Sequence, residues 1–163
     1  MVIPTKILKL LNEQIKIEAD SSQIYLAMHA WASLEGLEGT AKFMLDQYNE
    51  ERAHMLKFIE YMLDKNEIVQ PSVIDMPDRT YGSLKECFAT LFDHEMFVET
   101  KIHNLVKECI ASNDIATKIF LDWFVLEQIE EEKMAYRIID KIELAGQDKA
   151  AILEVDKFIG CIR

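Results

Sequence analysis

The 163 residues are enough for one domain with a substantial core, and a make-up of 50% hydrophobic and 29% charged residues excludes a disordered chain. A formal net charge of −11 repels nucleic acid and anionic lipid and attracts cations, so neither a nucleic-acid partner nor a membrane is expected. No apolar run approaches the roughly 18 residues of a membrane span.

The chain starts MVIPTKILKLLNEQ, with Lys and Glu inside the apolar stretch and no small-residue cleavage site. A signal peptide is not expected, and the reading is a cytoplasmic protein. The three cysteines, Cys87, Cys109 and Cys161, are far apart and form no CxxC pair. They fit a reducing compartment better than a disulfide framework or a zinc site, and buried thiols are expected.

Gly and Pro are scarce and mark the boundaries. Pro4 suits a first helical turn, and a helical pattern then runs to about Leu34. After a short break through Gly39, a second pattern runs from Thr40 to about Asn66. Residues 67–82 hold two prolines and a glycine and read as irregular. Ser83, with Glu86 three residues on, is the expected N-cap of a third helix reaching about Ala111. Ser112-Asn-Asp114 reads as a tight turn, a fourth helix continues to about Ala145, and Gly146 stops it. Residues 148–161 can form a short fifth helix.

Loop lengths give the topology. The first and third connections are short, so the helices they join are antiparallel neighbours. The middle one can span roughly 50 Å when extended, more than the roughly 42 Å of a 28-residue helix. It can start the third helix parallel to the second. The expectation is an all-α four-helix bundle with one long crossover, a short fifth helix, and a single domain over residues 1–163.

Each core-facing stripe, read at three- and four-residue spacing, is apolar except near its middle. Helix 1 gives Leu8, Leu11, Ile15, Glu18, Ser22, Tyr25; helix 2 gives Met44, Tyr48, Glu51, Met55, Phe58, Met62. Helix 3 gives Leu84, Phe88, Leu91, Glu95, Val98, Ile102, Leu105, Cys109; helix 4 gives Leu121, Phe124, Gln128, Glu131, Ala135, Ile138, Ile142. Glu18, Glu51, Glu95 and Glu131 should therefore meet at one height. No Lys or Arg lies on the stripes there to neutralise them, and unpaired buried carboxylates are costly. Any one such glutamate can be a hydrogen-bonded polar core residue. Four together, with His54 a turn beyond Glu51, call for metal cations, and carboxylates with imidazole suit iron or manganese.

At these residues the chain resembles the non-haem ferritins of bacteria and archaea. The resemblance is carried by NEQIKIEADSSQIYLAM, YNEERAHM, FDHEMFVETKI and DWFVLEQIEEEKMAYRIIDK, and it extends along nearly the whole length. It implies a di-iron ferroxidase centre in which Glu18, Glu51 and His54 hold one iron. Glu51 bridges to a second held by Glu95 and Glu131, with Gln128 close by. Glu50, Glu127 and Glu130 match the family's third iron site, although residue by residue a solvated acidic face describes them equally well. Tyr25 and Trp123 match aromatic residues beside the centre; the resemblance implies a supporting or electron-donor role for them, with ordinary core packing as the alternative. The resemblance further implies Fe(II) oxidation by dioxygen or hydrogen peroxide, mineral storage, and a homo-oligomeric cage of 24 subunits with the fifth helix at its fourfold axes.

Two departures narrow the resemblance. Helix 4 carries Gln128-x-x-Glu131 where bacterioferritins have a second Glu-x-x-His, and Arg52 follows Glu51 where they place a haem-ligating Met, so no haem is expected. A full ligand set within one chain also differs from the DNA-protecting mini-ferritins, whose site lies between subunits. His29, His94 and His103 match no motif and are read as surface or packing residues. A di-iron enzyme acting on an organic substrate or peroxide, and a non-catalytic helical scaffold, are the alternative functions.

Overall fold

A computed structural model describes residues 3–78 and 80–162, so the signal-peptide reading of the first two residues and one crossover position, Arg79, lie outside the described residues together with Arg163. Five helices follow in order: α1 Thr5–Leu34, α2 Glu38–Asp64, α3 Leu84–Ala111, α4 Ile115–Ala145 and α5 Lys149–Gly160. No helix among the described residues is long and apolar enough to cross a membrane.

Local chemistry sets the boundaries. Ser83 Oγ accepts from the Glu86 N–H at 3.1 Å while the Glu86 carboxylate reaches back to the Gly82 N–H at 2.9 Å, which fixes the start of α3. Asp114 caps α4 by accepting from the Thr117 N–H and hydroxyl, and Asp148 caps α5. The second helix ends at Asp64, short of the expected Asn66, because Asn66 adopts φ +56° and its turn is closed by Glu67 N–H donating to the Met62 carbonyl. Asn113 closes α3 in the same way with φ +54°.

The start of α2 at Glu38, two residues before the expected position, has a long-range cause. Its own N-cap side chain makes no hydrogen bond. Asp156 of α5 instead accepts from the Gly39 N–H at 2.9 Å and from the Thr40 N–H and hydroxyl, each at 2.7 Å. The helices meet almost backbone to backbone, and a Cβ on Gly39 would fall 1.9 Å from the Asp156 carbonyl oxygen. Val155 and Ile159 are buried in the bundle, so α5 hides much of its apolar face against its own chain.

Contacts between helices give their directions. His29 meets Ala41 while Glu18 faces His54, so α1 and α2 are antiparallel. Lys6 pairs with Glu108 and Ser21 with His94, making α1 and α3 antiparallel as well. Hence α3 runs parallel to α2. The crossover makes this possible by running along α1: Asn12 bonds Gln70, Lys16 pairs with Asp75, and Trp31 packs on Tyr81.

The core has two apolar clusters. One holds Tyr25, Met28, Phe43, Met44, Phe88 and Ile138 with α5, and the other holds Ile7, Leu11, Phe58, Met62, Ile102, Leu121 and Phe124. The stripes of α3 and α4 are buried throughout, while Leu8, Tyr48 and Met55 of the expected stripes are only half-buried. Cys87 and Cys109 are buried, and loss of water pushes their thiols up to about 12 and about 11. Cys161 departs from the expected burial: it is exposed, just past the end of α5.

Candidate metal centre

Between the two apolar clusters lies a buried polar layer. Each helix places it by the same arithmetic, since a residue on the inward face near the helix midpoint must face its counterparts. Glu18 of α1, Glu51 and His54 of α2, Glu95 of α3, and Gln128 and Glu131 of α4 are all buried. The structure thus brings all six expected residues into one layer. Tyr25 is fully buried and donates its phenolic O–H to Glu95.

The hydrogen bonds leave a pattern of satisfied and unsatisfied oxygens. Gln14 donates to Glu18 Oε1 at 2.7 Å, Gln47 to Glu131 Oε2 at 2.7 Å, and Gln128 to Glu95 Oε2 at 3.1 Å. Glu18 Oε2 and Glu51 Oε2 are buried with no hydrogen-bond donor. Both face His54, whose Nδ1 lies 3.9 Å from Glu18 and 3.5 Å from Glu51. Unpaired buried carboxylate oxygens are expensive, and a metal cation is the chemical species that satisfies several at once.

Electrostatics point the same way. Burial first, and then the charge of Glu51, holds the Glu18 carboxyl well above the usual carboxylate range. Burial and Glu95 do the same to Glu51. Burial and Glu95 push Glu131 up to about 8, against the opposing Gln47 amide. Burial lowers His54, with Glu18 and Glu127 resisting, so its imidazole is neutral and keeps a lone pair at neutral pH. Burial and Glu95 raise the Tyr25 phenol well above its ordinary value.

Two groups of three donors come together among the described residues. The ligand atoms of Glu18, Glu51 and His54 lie within 4.8 Å of one another, as do those of Glu50, His54 and Glu127. Glu95 and Glu131 share the layer and act on each other through charge, but neither belongs to so tight a group. Glu50, Glu127 and Glu130 line one open cleft of about 480 Å³ with Glu131. Glu130 turns to Lys133 at 3.3 Å, and His54 takes its place in the tight group.

Trp123 is 39% exposed and stands edge-on to His54 with ring centroids 5.4 Å apart. Among the other histidines, His94 is half-buried, hydrogen-bonded to Ser21 Oγ at 2.7 Å and edge-on to Tyr25. His29 meets the Ala41 carbonyl and His103 is exposed. Gln14 and Gln47 were not anticipated from sequence. The available signal is their position four residues before Glu18 and Glu51, one turn away on the same face.

A bundle with one long crossover and carboxylates converging at mid-height belongs to the class of helical carboxylate metal proteins. Comparison with known proteins narrows the class. The family model of the ferritin-like domain matches residues 8–145. The chain is 38% identical to a probable bacterial non-heme ferritin-like protein of Haemophilus influenzae, over 98% of this chain and 96% of that one. It is 35% identical to the bacterial non-heme ferritin of Escherichia coli O6:H1, over 96% and 94%. An open pore ferritin from the hyperthermophilic archaeon Archaeoglobus fulgidus superposes with a TM-score of 0.95 at 34% identity, covering 97% of this chain and 98% of that one. The chain belongs to the ferritin family.

Proposed function

We propose that this protein is an iron-storage ferritin of the non-haem type that takes Fe(II) as substrate, oxidises it at the buried layer, and stores the Fe(III) as mineral. Glu18, Glu51 and His54 hold one iron; Glu51, Glu95 and Glu131 hold the second, with Gln128 as a hydrogen-bonding neighbour. The observation that carries this reading is the pair of donorless buried oxygens on Glu18 and Glu51 beside a neutral His54. The names of the ferritin relatives support it.

The chain's own groups account for binding and proton traffic. Two Fe(II) ions bring four positive charges into a layer of four glutamates, which favours their ionised forms. Glu131 takes part in this exchange: burial and Glu95 hold its carboxyl up to about 8, so it carries a proton at neutral pH and releases it as the metal arrives. Two electrons, one from each Fe(II), pass to dioxygen, which takes up two protons to give hydrogen peroxide. With peroxide as oxidant, the same electrons and two protons give two waters. Tyr25 fixes the orientation of Glu95, and Gln14 and Gln47 fix Glu18 and Glu131. The acidic cleft of Glu50, Glu127 and Glu130 receives the product and passes it inward. The chain works as one domain in a cytoplasmic homo-oligomeric cage of 24 subunits, without haem.

Size-exclusion chromatography with Fe(II) loading in air tests this. A cage near half a megadalton that accumulates many irons per chain is expected. A small oligomer that stops at two irons per chain would favour a di-iron enzyme acting on peroxide or an organic substrate.

A further inference from the structure

Lys57 sits one turn beyond His54 on α2, beside the Glu50–His54–Glu127 group but outside it. Its ammonium rests 3.0 Å from the centroid of the Trp123 indole. Trp123 in turn stands edge-on to His54. Glu127 lies one turn after Trp123 on α4, and its charge acts on both Lys57 and His54. The Lys57 charge also acts on His54. All four side chains therefore share one neighbourhood.

A lysine among carboxylates normally pairs with one. Lys133 pairs with Glu130 and Lys118 with Asp122, at ordinary helical spacings. Lys57 has Glu60 three residues on and Glu127 across the helix interface, yet it forms no ion pair among the described residues. The face of an indole attracts an ammonium about as strongly as an exposed carboxylate does, without neutralising a metal ligand. Without the indole, the flexible lysine stem would be free to swing its charge onto the acidic group, where it would compete with a divalent cation.

We propose that Trp123 is a positioning residue: its ring seats the Lys57 ammonium and keeps that charge off Glu50, Glu127 and His54, so that Lys57 does not compete there with a metal cation. This rests on the metal-handling function proposed above. It assigns to Trp123 a role in cation binding that needs no electron transfer through the indole.

The test uses the whole metal-free protein titrated with Co(II) without oxygen, read by calorimetry and by the visible absorbance of bound Co(II). The binding step of the acidic group is the one missing in Glu50→Gln. Trp123→Leu should weaken that step about tenfold, the effect of one unit charge brought within a few ångströms of the ion in a partly screened site. Adding Lys57→Gln to Trp123→Leu should restore it, and Lys57→Gln alone should bind as tightly as the parent or more so. Unchanged affinity in Trp123→Leu overturns the proposal. So does a loss that Lys57→Gln fails to restore, because the indole would then act only through its packing on His54. If the parent binds no Co(II), the function proposed above falls too; if it binds Co(II) and the variants match it, only the role of Trp123 falls.

Discussion

Replacing Glu131 with Gln should remove a pH-dependent weakness of the metal-free fold. In the unfolded chain this carboxyl ionises near 4.5, whereas in the bundle burial and Glu95 push it up to about 8. Between those values the folded state holds a proton that the unfolded state has released, so stability falls as pH rises. The contribution is fully present below pH 4.5 and lost once pH has passed about 8. A displacement of that size sets a ceiling of about 5 kcal/mol. Coupling to Glu95 and Glu51 spreads the cost over several groups, so a loss of about 2–3 kcal/mol is expected. The assay is urea denaturation followed by circular dichroism at fixed protein concentration, from pH 5 to 9, for parent and Glu131→Gln without metal. The variant should show a flatter profile and exceed the parent at high pH. Parallel profiles would refute the claim that burial and Glu95 keep this carboxyl protonated at neutral pH, so that ionising it in the metal-free bundle is costly.

Asp156→Ala removes three hydrogen bonds at the start of α2 and leaves buried donors behind, which should cost about 2–4 kcal/mol and free α5, read by calorimetry and by proteolysis near the C-terminus. Gly39→Ala places a methyl against the Asp156 carbonyl and should loosen the same contact; unchanged protease resistance would count against the close approach. Tyr25→Phe deletes the donor to Glu95 and should slow Fe(II) oxidation roughly tenfold while helical content stays the same, checked by stopped-flow absorbance. Ser83→Ala should lower stability by about 1 kcal/mol through loss of the α3 cap, measured by thermal denaturation.

Much of the fold was legible in the sequence because it rests on local signals. The Ser83–Glu86 box, the existence of one long crossover and the inward stripes of α3 and α4 each follow from spacing alone. The ends of α2 were not legible in the same way. One depends on Asn66 adopting a left-handed conformation, the other on Asp156 reaching across from α5. No local pattern reveals a cap supplied from 116 residues away. The polar layer was legible because a glutamate on an apolar stripe stands out. Which partner each carboxylate takes was not, since Gln47 lies one turn before Glu51 yet bonds Glu131 on another helix. His54 rather than Glu130 completes the tight acidic group for a different reason: Glu130 pairs with Lys133 on its own helix, while His54 reaches the group from α2.

The central claim is that the buried layer oxidises Fe(II). Its most direct measurement is rapid mixing of metal-free protein with two Fe(II) per chain in air-saturated buffer, following absorbance and oxygen uptake together. The account predicts a fast phase that consumes both irons in the parent and vanishes in Glu51→Ala, with helical content unchanged. A fast phase of the same amplitude in folded Glu51→Ala would contradict it.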